Sequence, residues 1–160
     1  MSMKDKENSN KVILLSNRKA FRNYAVIEKF EAGLVLTGSE VKSIKLKHAS
    51  IQEGYVQIDN NLEAWLISCS IQPYISSTIT SHDVDREKKL LLKRNEIEKL
   101  KAKVKEKGLS IIPLSLYLLK GKIKIELALC KGKDLFDKRE VIKKRESQRN
   151  INREIKNYKN

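Results

Sequence analysis

The fold class is decided by residues 109–130, which read LSIIPLSLYLLKGKIKIELALC. The first half of this stretch is almost entirely apolar, and Lys120-Gly121 then supplies turn residues. From Ile123 to Leu129, apolar side chains alternate with Lys, Glu and Ala. This period of two is typical of a strand with one buried and one solvated face. We therefore predict two strands joined by a turn, within a mainly β fold.

Further strand and helix patterns lie in the preceding residues. Strand-like runs occupy residues 24–30, 34–36, 55–58 and 62–69, with turn residues at 59–61. Helices are predicted over residues 40–47, with Ser39 as N-cap, and over residues 95–107, with Asn95 and Glu98 as a capping pair and Gly108 at the end. Together they predict a small antiparallel OB-like β-barrel with two or three inserted helices.

Three regions of different composition are predicted along the chain. Residues 1–10 are polar without periodicity and predict a flexible arm, whereas residues 11–130 contain the patterns of the barrel. Residues 131–160 contain 11 Lys or Arg and 5 Asp or Glu, with few apolar residues. This last region predicts a basic C-terminal tail that is disordered alone and leans toward helix.

The charge of the chain points to a polyanionic partner. Its formal net charge is +14, and clustered Lys and Arg bind nucleic acid by releasing its counterions. No apolar run approaches the ~20 residues of a membrane span. Cys69 and Cys130 have no CxxC neighbour, so we expect buried free thiols and a cytoplasmic protein.

The sequence gives little support for an enzyme. There is no phosphate-binding glycine motif, and His48 and His82 lack the spacing of zinc ligands. A metal site at His82, Asp83 and Asp85 is less favoured than a solvated loop. We therefore predict no cofactor, no metal and no small-molecule substrate.

Basic residues form three clusters, each open to more than one interpretation. Residues 17–24 interleave three cations with Phe21 and Tyr24, which suits phosphate contact and base stacking but also an ordinary strand with solvated charges. Residues 86–94 place cations around three leucines, either a pinned loop or an apolar shelf for RNA. On a helix, Lys138, Arg145, Arg149, Arg153 and Lys156 would form one cationic stripe, suited to RNA or, less well, to an acidic membrane surface.

Several motifs in one order resemble a known family. They lie at residues 17–24, 30–34, 38–43, 86–92, 114–117 and 131–139, including Gly38-Ser39-Glu40-Val41-Lys42-Ser43 and Leu114-Ser115-Leu116-Tyr117. The chain resembles the SsrA-binding proteins (small protein B, SmpB), the partners of transfer-messenger RNA in bacterial ribosome rescue.

The resemblance implies an OB-like barrel that grips the tRNA-like domain of transfer-messenger RNA and delivers it to the A site of stalled ribosomes. The tail is implied to become helical in the decoding centre and empty mRNA channel, and elongation factor Tu to join through the charged RNA. The implied outcome is peptide tagging for degradation. A small basic ribosomal or ribosome-assembly protein is the alternative.

The resemblance and the basic clusters together predict two sets of binding residues. The RNA-binding set is Asn17, Arg18, Tyr24, Glu31, Ala32, Glu40, Lys42, Ser43, Arg86, Lys89, Leu91 and Lys93. The ribosome-binding set in the tail is Lys131, Gly132, Lys133, Phe136, Asp137, Lys138, Arg139, Arg145, Arg149 and Arg153. Glu31 and Glu40 either accept hydrogen bonds from RNA or pair with nearby cations within the protein.

The chain departs from the family pattern at three positions. Phe136 stands where relatives often have His, Lys93 where they often have Asn, and Ser147 at a frequently aromatic tail position. These departures put a proton-dependent role, a base contact and one tail contact in doubt.

Overall fold

The computed structural model describes residues 10–74, 83–133 and 135–158. The strands are β1 (Val12–Ser16), β2 (Tyr24–Leu34), β3 (Ala49–Ser50), β4 (Tyr55–Ile58), β5 (Ala64–Ile67), β6 (Ser70–Ile71), β7 (Lys88–Leu91), β8 (Ser110–Leu119) and β9 (Lys122–Gly132). The helices are α1 (Arg18–Asn23), α2 (Gly38–Lys45), α3 (Arg94–Lys107) and α4 (Leu135–Tyr158).

Seven strands form one antiparallel sheet in the order β1-β8-β9-β2-β7-β5-β4, and β3 pairs with β6. The prediction of a mainly antiparallel β fold is confirmed. By its hydrogen bonds the sheet is open, with β1 and β4 at its edges, rather than a closed barrel. It curls nevertheless, since β4 at one edge lies against β8 near the other edge. The Asn17 amide bridges this region by donating both to the Ile51 carbonyl (3.3 Å) and to the Pro113 carbonyl on β8 (2.9 Å).

The core lies on the inner face of the sheet. The alternating residues of β9 that the sequence analysis assigned to a buried face, Ile123, Ile125, Leu127 and Leu129, are all buried there. The start of β8 and the end of β9 are also buried on their second face, where Ala20 of α1 packs against Ile112, Ala128 and Cys130. A strand covered on both faces has no polar alternation, which explains why the first half of residues 109–130 is almost entirely apolar.

Several element boundaries differ from those predicted. β2 is one strand through Leu34, so the separate strand at residues 34–36 is wrong, and β1 and α1 were not predicted. The return strand expected at residues 62–69 is shorter, Ala64–Ile67. The predicted arm at residues 1–10, except residue 10, and most of the loop at residues 76–88 lie outside the described residues.

The helix caps also differ from those predicted. Thr37, not Ser39, caps α2: its hydroxyl accepts from the Glu40 N–H (3.3 Å), and the Glu40 carboxylate accepts from the Thr37 N–H (2.9 Å). This is the Thr-x-x-Glu capping box. At α3 the Glu96 carboxylate accepts from the Lys93 N–H at 3.0 Å, so the predicted Asn95–Glu98 pair is wrong. Gly108 ends α3 in the left-handed conformation, as predicted.

A buried ion pair ties α2 to the sheet. The Glu40 side chain is fully buried, and Arg86, just before β7, donates to its two oxygens from Nε (2.9 Å) and Nη2 (2.7 Å). Arg86 Nη2 also donates to the Val35 carbonyl after β2 (3.2 Å). Burial raises the pKa of Glu40, but the hydrogen bonds from Arg86 and Thr37 outweigh it and hold the pKa below its usual 4.5. The carboxylate therefore stays ionised and binds three segments together.

We predict that Glu40→Ala lowers the free energy of unfolding by about 3 kcal/mol, because it leaves the Arg86 guanidinium without its partner and α2 without its capping box. A pH dependence follows, since a pKa lowered in the folded state gives stability that is present above the unfolded value near 4.5 and is lost as pH falls through the folded value. Urea unfolding at pH 7 and pH 4, followed by Trp65 fluorescence, checks both effects.

Glu53→Gln is the matched control, because Glu53 pairs with Lys19 on the surface, where its side chain is 72% exposed. A Glu40→Gln protein that loses stability below pH 4.5 as steeply as the parent would contradict the assignment of this titration to Glu40.

Candidate nucleic-acid interface

One row of residues crosses five strands on the outer face of the sheet. The strand register places Ile13 opposite Tyr117, Tyr117 opposite Lys124, Lys124 opposite Gly33, and Gly33 opposite Leu91. Paired residues of antiparallel strands project from the same face. We call these five residues the cross-strand row. Ile13 and Leu91, at its two ends, are exposed by 57% and 56%.

Leu91 is one of the two exposed apolar side chains at the ends of the row. It lies over Gly33, where an added Cβ would stand 3.3 Å from two Leu91 carbons. The absence of a side chain at Gly33 therefore leaves room for Leu91 to pack in this position. Leu90 is buried and Leu92 packs against the core. Leu90 and Leu92 therefore pin this segment, which forms the strand β7 and not a loop, and Leu91 is left exposed, so that the apolar shelf for RNA stays a prediction.

Glu31 lies beside the row and is held by it. Its carboxylate accepts from Lys124 Nζ at 2.8 Å and from the hydroxyl of Tyr117. Lys11 Nζ lies 3.9 Å from the Tyr117 ring centroid, a cation–π geometry. Burial raises the pKa of Glu31, but the hydrogen bonds from Lys124 and Tyr117 outweigh it and lower the pKa. Glu31 is thus an ionised, half-exposed hydrogen-bond acceptor. Of the two alternatives, contact with RNA or pairing with a cation of the protein, the structure shows the pairing, with Lys124.

Three lysines of the predicted RNA-binding set, Lys42, Lys89 and Lys93, have exposed or partly exposed side chains. Lys93 is exposed next to Leu91, and Lys89 donates to Glu63 at 2.9 Å while remaining 39% exposed. Lys42 is exposed on α2, 5.2 Å from the Tyr74 ring centroid. An exposed leucine among lysines combines an apolar surface with phosphate-binding charge.

Four residues of the predicted RNA-binding set are buried: Asn17 (0% exposed), Ala32 (2%), Glu40 (0%) and Ser43 (0%). Their side chains do not reach the surface in this structure, so their prediction as direct RNA contacts is corrected. Asn17 caps α1 by accepting from the Ala20 N–H at 3.1 Å, and Ala32 belongs to the core. Glu40 pairs with Arg86 and also closes the capping box of α2. The Thr-x-x-Glu spacing would have revealed the role in capping.

The first basic cluster forms α1 and the beginning of β2. Arg18 is exposed, whereas Tyr24 is half-buried against the small core under α1. Tyr24 also lines a cavity of about 330 Å³, bounded by α1, the loop at residues 52–54 and the beginning of β8. Lys19 and Glu53 pair at 2.5 Å on the same side. This cluster therefore divides into three exposed cations, Arg18, Lys19 and Arg22, and a tyrosine that is mainly a packing residue.

The tail begins later than predicted. β9 continues through Lys131 and Gly132, which pair with Ala25 and Tyr24. The Lys133 N–H donates to the Asn23 carbonyl (2.9 Å), and its Nζ donates to the Phe21 carbonyl (3.1 Å). The folded body therefore reaches residue 133, because Lys133 caps the end of α1.

Beyond Lys133, which we call the junction between body and tail, the tail forms the helix α4. The predicted cations Arg139, Arg145, Arg149 and Arg153 are all exposed on it. The side chains of Phe136, Asp137 and Lys138 lie outside the described part of the structure.

Two further observations concern metals and membranes. Within residues 10–74, 83–133 and 135–158, no three His, Cys, Asp or Glu side chains form a group that could hold a metal ion; His82 lies outside these ranges. In the same ranges, no helix has the length and apolarity that crossing a membrane requires. Cys69 and Cys130 are buried free thiols.

A curled antiparallel sheet with a cationic outer face and a basic helical extension defines the class of RNA-binding β proteins. The family model described as "SmpB protein" matches residues 14–157. The chain belongs to the SmpB family.

Similar proteins agree with this assignment. An SsrA-binding protein of Sulfurihydrogenibium is 48% identical over 144 residues, which cover 90% of this chain and 94% of that protein. One from Trichormus variabilis is 48% identical over 157 residues, covering 98% and 100%. A chain in the solved structure "tmRNA-SmpB: a journey to the center of the bacterial ribosome" matches with a TM-score of 0.64 and 34% identity, over 80% of this chain and 93% of that chain.

We predict that Tyr117→Phe raises the pKa of Glu31, because the carboxylate loses one of the two hydrogen bonds that stabilise its ionised form. The free energy of unfolding should fall by about 1 kcal/mol. A carbon-detected NMR titration of the Glu31 carboxyl measures the pKa. Tyr55→Phe, at an exposed tyrosine of β4, is the control. An unchanged Glu31 pKa in Tyr117→Phe would show that this contact does not hold the carboxylate in solution.

Proposed function

We propose that this chain is an RNA-binding adaptor of trans-translation without catalysis of its own. Its outer sheet face binds the tRNA-like domain of transfer-messenger RNA and delivers it to the A site of stalled ribosomes. The helix α4 enters the decoding centre and the empty mRNA channel. The consequence is ribosome rescue and tagging of the unfinished peptide, in the cytoplasm, with elongation factor Tu joined only through the charged RNA. The observation that carries this proposal is the cross-strand row, with exposed Leu91 among lysines, in a member of the SmpB family.

The outer face offers three kinds of contact that RNA requires. Lys42, Lys93 and the partly exposed Lys124 provide charge for phosphate oxygens. Leu91 provides an apolar surface for a base or a ribose. Glu31 is ionised and half-exposed, so its free lone pairs can accept from base amino groups or 2′-hydroxyls. Charge gives affinity, whereas the carboxylate and the leucine give selectivity for a particular RNA surface.

The tail supplies a second cationic surface with different physics. Residues 134–160 contain nine Lys or Arg and five Asp or Glu, so residues 1–133 keep a net charge of +10 without them. The body therefore retains its own attraction to RNA when the tail is removed. An exposed basic helix binds wherever phosphates line a channel, because it needs only charge density along its length.

We predict that Leu91→Asp weakens binding of the tRNA-like domain by about tenfold, because a carboxylate replaces the apolar contact and repels phosphate. Leu91 is 56% exposed, so the fold should tolerate the change. Leu46→Asp is the matched control: Leu46 is 53% exposed and follows α2 outside the cross-strand row. Filter binding or gel-shift titration measures both. Equal losses in the two variants would mean that binding responds to charge alone and not to Leu91.

We further predict that a chain ending at Lys133 binds the tRNA-like domain within about threefold of the full chain and fails to support peptide tagging on stalled ribosomes. The cut belongs after Lys133 because an earlier end would remove the pairing of Gly132 with Tyr24 and the cap on α1. Parallel RNA-binding and reconstituted tagging assays separate the two functions. Complete loss of RNA binding by the folded, shortened chain would refute the proposal that the sheet face binds this RNA without the tail.

A further inference from the structure

A cleft between α1 and α4 is lined by three arginines. It has a volume of about 270 Å³ and is lined by Arg22, Ile142, Arg145, Glu146 and Arg149. The four residues from α4 recur at spacings of three, one and three, so they occupy one face of the helix. That face is turned toward Arg22 near the end of α1. The cleft thus combines cations from the body and from the tail.

In the part of the chain that the structure describes, the lining of this cleft carries more positive than negative charge. Among the described side chains, Arg22, Arg145 and Arg149 make no hydrogen bond or ion pair, and Glu146 is the one carboxylate of the lining. Other surface cations are paired, as Arg94 is with Glu98 at 3.3 Å and Lys99 with Glu28 at 2.7 Å. Like charges placed together repel each other unless an anion lies between them.

The junction at Lys133 positions the start of the tail beside α1. Lys133 binds the carbonyls of Asn23 and Phe21 at the end of α1, and so fixes where the tail leaves the body. Ile142, 39% exposed, adds an apolar wall. The arginines therefore come together because of backbone anchoring and packing, despite their mutual repulsion. A site with this surplus of donors is suited to an anion with several oxygens.

We propose that the α1–α4 cleft binds a backbone phosphate of RNA and thereby joins the body to the tail. A phosphodiester presents two anionic oxygens, and planar guanidinium groups donate to such oxygens in pairs. Once bound, the phosphate neutralises the repulsion between Arg22 and the two arginines of α4, so RNA at this site orients the tail helix relative to the sheet. The proposal rests on the proposed function only for the identity of the anion as RNA.

The first experiment observes the arginine Nε–Hε signals of the full chain by NMR. The titrants are inorganic phosphate, sodium chloride at matched ionic strength, and an unstructured single-stranded oligoribonucleotide. We expect Arg22, Arg145 and Arg149 to shift together with phosphate and with the oligoribonucleotide, but not with chloride. Arg94, which is paired with Glu98 in the body, reports the general effect of ionic strength. Equal shifts with chloride would overturn the site. A response to phosphate without one to the oligoribonucleotide would overturn the assignment to RNA.

The second experiment compares variants that each remove one positive charge. Arg22→Gln and Arg149→Gln should weaken oligoribonucleotide binding by about threefold to tenfold. Lys144→Gln, an exposed change on the same helix outside the cleft, should weaken it by less than about twofold. Circular dichroism verifies that α4 is retained in each variant. Equal effects of Arg149→Gln and Lys144→Gln would overturn the proposal. No transfer-messenger RNA is used, so these outcomes are independent of the test with Leu91→Asp.

Discussion

The pairing of β2 with β9, two strands of 11 residues each, is the interaction on which the rest of the structure depends. Side chains alternate between the faces of a strand, so a register that buries Ile125 and Leu127 inside also sets Lys124 and Glu31 outside. A slip of one residue in β9 would place Lys124 in the core. The hydrophobic effect therefore fixes which residues lie on the outer face as strongly as it fixes the core, and Tyr117 of that face is itself buried.

Buried polar groups then set the position of the apolar end of that face. Lys88, two residues before Leu90, is fully buried, and its ammonium donates to the Cys69 carbonyl at 2.5 Å. Two residues earlier, Arg86 binds Glu40. Burial lowers the pKa of Lys88, which shows that its placement has an electrostatic cost. Such groups stabilise little by themselves but allow few alternative arrangements. Here they hold β7 so that Leu91 is presented over Gly33.

The sequence predicts those features that depend on local periodicity. The alternation in β9, the turn at Lys120-Gly121 and the end of α3 at Gly108 follow from neighbouring residues alone, and all three are confirmed. The short elements β1 and α1 were missed because their stability comes from tertiary packing and not from propensity. The pair Glu40–Arg86 was also missed, since its partners are 46 residues apart and no local pattern links them. The resemblance predicted RNA-binding residues, and the structure shows which of them are exposed.

The junction at Lys133 explains how one small chain carries two cationic surfaces without losing its fold. Because β9 and α1 anchor the chain up to this residue, repulsion within the tail is not transmitted to the sheet. The charge of α4 is instead left exposed or gathered at the cleft with Arg22. A rigid face recognises shape, whereas a helix rich in arginine responds to phosphate density. The two surfaces meet at the α1–α4 cleft, which is lined by arginines. Because these arginines repel each other until an anion binds between them, the proposed phosphate of RNA sets the orientation of the tail helix relative to the sheet.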